Sequence, residues 1–317
     1  MTREGPFDLQ GRTCLVTGST DGHGKAVALA LAARGAEVVL HARSREKALA
    51  VRDEVARAAG GKAPEILLAD LARPSEIDSA VASYLESGRP LHVLVNNAGL
   101  VGLSRRVDDA GLELTFAVNY LAMFRLTLGL LPRLQESGPA RIVNVSSDTY
   151  RIAKLDLDDL QLERDYTMMK AYGQSKLAIV YFTLELARRL AGAAGRADGA
   201  EGGLGASSLR SAVDGSGRWV TVNAVDPGPV ASNIGADNPG LAYRLVGPLI
   251  RGFFPSAARA ARTAVRVATD PALERSTGGY WRSNKRREKP LDFDPALSRA
   301  LWEKSLALAG IEEPRLG

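Results

Sequence analysis

The chain has 317 residues, a net charge of +5 and a pI near 9.4, with 45% hydrophobic and 24% charged residues. This is ordinary globular composition, long enough for one large α/β domain with a substantial core, and no run approaches the roughly 18 uninterrupted apolar residues of a membrane span. The single cysteine, Cys14, excludes an internal disulfide and a cysteine-rich metal site, and His23, His41 and His92 are scattered without ligand spacing, so no metal is expected. The N-terminal MTREGPFDLQGR has no secretory-signal pattern, which points to the cytoplasm.

Apolar β-branched runs alternate with helical stretches from the start. TCLVTG precedes a helix over Lys25 to Arg34, EVVLH one over Arg45 to Ala58, and EILLAD one over Glu76 to Glu86; LHVLVNNAG is the fourth strand. A long helix from about Asp109 to Glu136, the strand RIVNVSS, the helix bearing Tyr172 and the strand WVTVNAV follow. Strands separated by helical crossovers predict an α/β fold, a doubly wound parallel sheet with helices on both faces, in one domain over 1–317. Segment 191–218, rich in Gly, Ala and Ser, reads as a flexible loop at the edge opposite ligand binding. Asn238 to Pro255 mixes apolar bulk with Gly and Pro and reads as a lid over an apolar pocket. Ser256 is placed to cap a helix to about Thr269, and Asp294 with Pro295 to start a terminal one. The basic run RSNKRREK, Arg282 to Lys289, has no aromatic platform or recognition helix beside it, so it reads as a solvated loop and not a nucleic-acid site.

TGSTDGHG, Thr17 to Gly24, sits between the first strand and its helix. Gly18, Gly22 and Gly24 permit a tight turn and close backbone approach; with Ser19, Thr20, Asp21 and His23 they form a Rossmann-type dinucleotide site at a helix N-terminus. The second strand ends HAR, where an NAD site usually has a carboxylate. Arg43 can instead pair with a ribose phosphate, which favours NADP(H) over NAD(H), although Asp21 weighs the other way if it faces that phosphate. Asp70, with Leu71 beside it, ends the third strand where adenine would lie, and Asn97, Ala98 and Gly99 of NNAG close the fourth.

In AYGQSKLAIVYF, Tyr172 and Lys176 lie four residues apart on one helix face. A phenol with pKa near 10 is a poor base unaided; Lys176, with the positive nicotinamide of an oxidised cofactor nearby, is expected to lower that value by about two or three units. Ser147 ends the fifth strand at the ligand edge. Asn119, polar amid apolar neighbours in the long helix, is either a buried asparagine bonded to backbone or the holder of a water that relays protons through Lys176.

TGxxxGxG, NNAG, a helix asparagine, a strand-end serine, YxxxK and PGPV occur in the order of the short-chain dehydrogenase/reductase family, which the chain resembles over nearly its whole length. The resemblance implies that Asn119, Ser147, Tyr172 and Lys176 form a catalytic tetrad, and that Pro227, Gly228 and Val230 contact the nicotinamide end. YGQSKLAIVYFTLELARRL, the long LDLDDLQLERDY before it and the ending GGYWRSNKRREKP look like the retinol-dehydrogenase-like branch. That branch implies NADP(H) and lipophilic alcohols, aldehydes or ketones, with pairing through the two long helices into homodimers or homotetramers. The chain departs from it in His23, Asp21, the glycine-rich insertion and the absence of a membrane anchor, so a retinoid substrate does not carry over. A dinucleotide-binding sensor with little turnover is the alternative.

Overall fold

The computed structural model describes residues 8–193, 217–229, 256–287 and 293–314. Val230, the lid expected at 238–255 and most of segment 191–218 lie outside the described residues. Along the chain come β1 (Thr13–Val16), α1 (Gly22–Ala32), β2 (Glu37–Ala42), α2 (Arg45–Ala58), β3 (Glu65–Leu68), α3 (Pro74–Glu86) and β4 (Val93–Asn96). Then α4 (Leu114–Phe116), a π-helical turn (Ala117–Leu121) and α5 (Ala122–Ser137) run on as one helix. After it come β5 (Ala140–Val145), a 3-10 turn (Asp148–Ile152), α6 (Met168–Ala193), β6 (Val220–Asp226), α7 (Ala257–Thr269), β7 (Gly279–Arg282), β8 (Lys285–Arg286) and α8 (Pro295–Ala309).

The strands form one sheet in the order β3-β2-β1-β4-β5-β6-β7-β8, parallel except for β8. Strand alternation sends Leu15, Leu94 and Ile142 to one face and Cys14, Val16, Val95 and Val143 to the other, giving a core on each side. On one face α1 packs on α2 and α7; on the other α3 packs on α5, and α6 on the terminal α8. Burial pushes the Cys14 thiol up to about 12, as expected of an inert core cysteine.

The expected cap positions are occupied. Ser256 Oγ accepts from Arg259 N at 3.3 Å, and Asp294 Oδ1 accepts from Ala296 N at 2.8 Å and Leu297 N at 3.2 Å. The long helix begins at Leu114, five residues later than expected, because residues 108–112 fold into a turn in which Asp108 Oδ1 accepts from Ala110 N at 2.9 Å and Leu112 N at 2.8 Å. The solvated-loop reading of the basic run fails over Arg282–Arg286. These residues form the end of β7, a two-residue turn with Ser283 and Asn284 at φ 50° and 61°, and β8. The turn is docked on α7: Asn284 N donates to Thr263 Oγ1 at 3.1 Å, and Arg266 Nη1 to Asn284 O at 2.8 Å.

Leu114–Ser137 is long and apolar enough to cross a membrane by length and composition, but 83% of its most apolar window is buried in the protein. One part of its cover is α8. Trp302 stacks on Phe182 at 5.8 Å, meets Phe124 edge-on at 5.2 Å, and carries the Arg189 guanidinium 4.3 Å above its ring. The indole also donates to Glu313 at 2.9 Å, and Tyr120 bonds Ser305 at 2.7 Å. Trp302→Ala should therefore lower unfolding free energy by about 3 to 5 kcal/mol, read from the urea midpoint at unchanged slope. A loss under about 1 kcal/mol would show that α8 contributes little to the core.

Candidate active site

The sequence runs outward from β1 in both directions, so the β1–β4 boundary is a topological switch point where the C-terminal strand ends open into a crevice. At this edge Gly18 and Gly22 have φ 61° and 52°, as a tight turn requires. A Cβ on Gly24 would collide with the Gly18 carbonyl oxygen and Asn97 Nδ2, so only glycine lets α1 start this close to the loop after β4. That loop is tied to the turn. Thr17 Oγ1 accepts from Asn97 N at 2.8 Å and Ala98 N at 2.9 Å, while Asn97 Nδ2 donates to Thr17 O at 2.8 Å and Gly18 O at 3.2 Å.

Ser19 donates through both N and Oγ to His41 O, each at 3.2 Å, and Gly18 N donates to His41 Nδ1 at 3.2 Å. Burial pushes His41 down to about 4, keeping the imidazole neutral and able to accept. Asp21 caps α1, its Oδ1 accepting from Gly22 N at 2.7 Å; it faces solvent and the helix start, beside half-buried Thr20. His23 is buried against Asn97, with Nδ1 and Oδ1 2.7 Å apart. Because the Asn97 amide nitrogen already donates twice, its oxygen must accept, which puts the histidine proton on Nδ1. The turn, its close-packed glycines and the first-turn N–H groups of an 11-residue helix fit the pyrophosphate of a dinucleotide.

Arg43 is exposed just past β2. Asp70 follows β3 at the same edge, half-buried, with Oδ1 accepting from Ala72 N at 3.0 Å and its N–H donating to Glu76 at 2.7 Å; Leu71 is buried beside it. Pro227 and Gly228, the latter at φ 74°, follow β6.

The four tetrad candidates come together. Lys176 Nζ lies 5.4 Å from the Tyr172 ring centroid, and Ser147, whose Oγ accepts from Thr149 N at 3.4 Å, acts on the Tyr172 hydroxyl so as to favour the phenolate. Asn119, in the π-helical turn, joins by another route. Its Oδ1 accepts from Leu100 N at 2.7 Å, and its Nδ2 donates to Leu100 O at 2.9 Å and to Ser175 Oγ at 3.0 Å; Ser175 in turn donates to Tyr172 O at 2.7 Å. Both polar atoms of the Asn119 amide are thus bonded to the Leu100 backbone. A Cβ on Gly99 would sit 3.1 Å from Asn119 Oδ1 and 3.7 Å from Lys176 Nζ, so the loop passes directly over both groups.

The Lys176 ammonium by itself does not lower the Tyr172 pKa; the expected depression also counts on the positive nicotinamide. Burial raises the phenol above its usual value, Ser147 offsets this in part, and the Asp226 carboxylate adds to the rise. The ammonium stands by the ring and donates to Val145 O at 3.0 Å. Burial pushes Lys176 itself down to about 8, against the pull of Asp226.

Sequence reasoning missed Asp226, Arg282, Asp148 and Tyr280. Asp226, 3% exposed, ends β6; its Oδ1 accepts from Gly228 N at 2.7 Å, and its Oδ2 lies 3.3 Å from Arg282 Nε. Arg282 also pairs with Asp148, to which the Tyr280 hydroxyl donates at 3.1 Å. An acid inside VNAVDPG, at a strand end otherwise apolar, was the available signal.

The family model for short chain dehydrogenases matches residues 12–194. Polyprenol dehydrogenase of Homo sapiens is 35% identical over 309 residues, covering 95% of this chain and 86% of the relative. Retinol dehydrogenase 14 of Mus musculus is 33% identical over 320 residues, covering 96% and 88%. A crystal structure of a short chain dehydrogenase from Burkholderia cenocepacia J2315 in complex with NADP superposes with a TM-score of 0.62 at 25% identity, covering 87% of this chain and 99% of that one. The chain belongs to the short-chain dehydrogenase family, in its retinol-dehydrogenase-like branch, and is a nicotinamide-dependent oxidoreductase.

Proposed function

We propose that the protein is an NADP(H)-dependent alcohol dehydrogenase or carbonyl reductase acting on a mostly apolar small molecule, with the chain working as one catalytic domain. The observation that carries this reading is the cluster of Tyr172, Ser147 and Lys176 beside the glycine turn at the switch point of the sheet. A pure binder has no use for a half-buried phenol set beside a serine and flanked by a buried lysine.

When bound, the nicotinamide cofactor supplies or accepts the hydride. The glycine turn and the first-turn N–H groups of α1 would hold its pyrophosphate, Asn97 to Gly99, Lys176, Pro227 and Gly228 its nicotinamide end, and Asp70 with Leu71 its adenine. Arg43, the side chain at the end of β2, would pair with a 2′-phosphate by charge-assisted hydrogen bonds worth about 1.5 to 3 kcal/mol. Tyr172 gives its hydroxyl proton to a carbonyl oxygen being reduced, or takes one from an alcohol being oxidised. Ser147, beside that hydroxyl, holds the same substrate oxygen. Lys176 favours the phenolate by charge only while it is an ammonium, hence below about pH 8. Asn119 acts by fixing Leu100 and, through Ser175, the turn of α6 that carries Tyr172.

The surface supports an apolar substrate. Of the six exposed large apolar side chains among the described residues, all but Leu49 lie in the segments that follow β4 and β5: Leu103, Val107, Ile152, Met168 and Met169. Ile152, 78% exposed, is in the turn after Ser147, and Met168 and Met169 open the helix of Tyr172. Relatives named for polyprenol and retinol oxidation agree in kind.

In a fluorescence titration, NADPH should bind more tightly than NADH, and Arg43→Ala should weaken NADPH by about ten- to a hundredfold while sparing NADH. Equal affinities unchanged by the mutation would move the cofactor to NAD(H). Tyr172→Phe should cut turnover of apolar ketones or aldehydes by about a hundred- to ten-thousandfold with cofactor affinity kept. Wild-type binding without hydride transfer across such a panel would favour the sensor.

A further inference from the structure

β5, β6 and β7 end side by side at the catalytic edge, with Val145 opposite Val225 and Asp226 opposite Arg282. Two carboxylates share one guanidinium there. Arg282 binds Asp226 through Nε and Asp148 through Nη1, so it links the residue after Ser147 to the residue before Pro227 and Gly228. Tyr280 adds its hydroxyl to Asp148, and its ring meets Tyr150 edge-on at 4.9 Å. Lys176 is enclosed by the same strand ends. Among the described residues its ammonium, with three donors, has one acceptor, the Val145 carbonyl, and Asp226, next along β6 from the Val225 that pairs with Val145, is an acid that pulls it up.

Resting on the oxidoreductase reading, we propose that Asp226, clamped by Arg282, is a positioning residue for Lys176: its carboxylate holds the lysine as an ammonium and, through Gly228 N, fixes the loop that follows β6. Lys176 is buried to 4% exposure, where an uncompensated charge is costly. With Asp226 and Asp148 ionised, the two carboxylates face Lys176, Arg282 and, at Asp226, Arg287. Burial by itself raises the Asp226 pKa, and the Gly228 hydrogen bond with the charges of Lys176 and Arg287 works against that rise. Other titratable and charged groups facing the cluster among the described residues are Tyr172 on α6, His23 on α1, Tyr150 and Tyr280 beside the guanidinium, and the Arg151 and Arg287 cations. A purely mechanical tie between strands would use the same ion pairs but would not govern the lysine proton.

The two roles separate in Asp226→Asn, which keeps an acceptor for Gly228 N and removes the charge. Lys176 is followed by the 13C shift of its Cε carbon in the cofactor-free protein, which needs no turnover, and initial rates are measured across pH. Losing the carboxylate lowers the lysine pKa, expected at about 1 unit or more, and the alkaline limb of activity moves down with it. Arg282→Gln has the opposite sign: Asp226 loses a cation and stays protonated to higher pH, so the acid limb moves up, while the lysine does not titrate earlier. Asp226→Glu should restore the lysine titration in part. An unmoved Lys176 titration in a folded Asp226→Asn protein overturns the proposal; if that variant does not fold, unmoved pH limbs in Arg282→Gln overturn it. Absence of turnover with a shifted Lys176 titration would instead count against the oxidoreductase reading and leave the Asp226 assignment standing.

Discussion

How closely the turn after β1 approaches the loop after β4 determines the rest of the catalytic edge. Four hydrogen bonds run between them, two accepted by the Thr17 hydroxyl and two given by the Asn97 amide. Backbone groups left unmade there would cost about 1 to 3 kcal/mol each, so the arrangement is held by what its loss would expose. Gly24 is the geometric condition for it, since any side chain would drive α1 off Gly18 and Asn97. Asn119 then grips the same loop three residues on, at Leu100, and reaches Ser175 on α6. The nucleotide turn and the tyrosine helix are thus joined by one unbroken line of contacts, which is how groups more than 150 residues apart in sequence keep a fixed relation.

Burial sets the chemistry of Tyr172 and Lys176 in opposite directions. It favours the neutral form of both, raising the phenol and lowering the ammonium. A lysine four residues from a tyrosine is therefore not enough to make a phenolate; the dielectric and the neighbouring carboxylate decide. Asp226 pulls both groups toward their protonated forms, so the phenol and the lysine titrate as parts of one set of charges. Ser147 offsets the burial of Tyr172 directly, by favouring the charged oxygen.

The alternation of β-branched runs and helices made the sheet through β6 legible, together with α2 to the residue and the caps at Ser256 and Asp294. These features are local: period, turn chemistry and cap preference lie in neighbouring residues. β7 and β8 escaped because Gly279–Arg282 is short and Lys285–Arg286 is charged, and both owe their conformation to β6 and α7. The set of four tetrad candidates was legible as residues in a known order. Its electrostatics were not, because the acid acting on Lys176 lies 50 positions downstream and the arginine holding that acid is inside a run that reads as solvent-facing. The Asn119 partner was equally hidden, since a backbone acceptor leaves no mark in side-chain identity.

The terminal helix explains why Leu114–Ser137, the one helix among the described residues that is long and apolar enough to cross a membrane, behaves as a core element. α8 lies across α5 and α6, seating Trp302 among Phe124, Phe182 and the Arg189 guanidinium. Beneath it Glu185, 1% exposed, is bonded by Arg188, Arg189 and Ser298. Burial alone would push that carboxyl up, but two arginines outweigh it and hold it below its ordinary value. A carboxylate made comfortable in this way belongs to a permanent interior and not to a surface awaiting a partner. The resemblance implies pairing of subunits through the two long helices. In this chain the part of that face around Trp302 is already filled from within, so a second copy could occupy it only by displacing α8 and uncovering both the indole and Glu185.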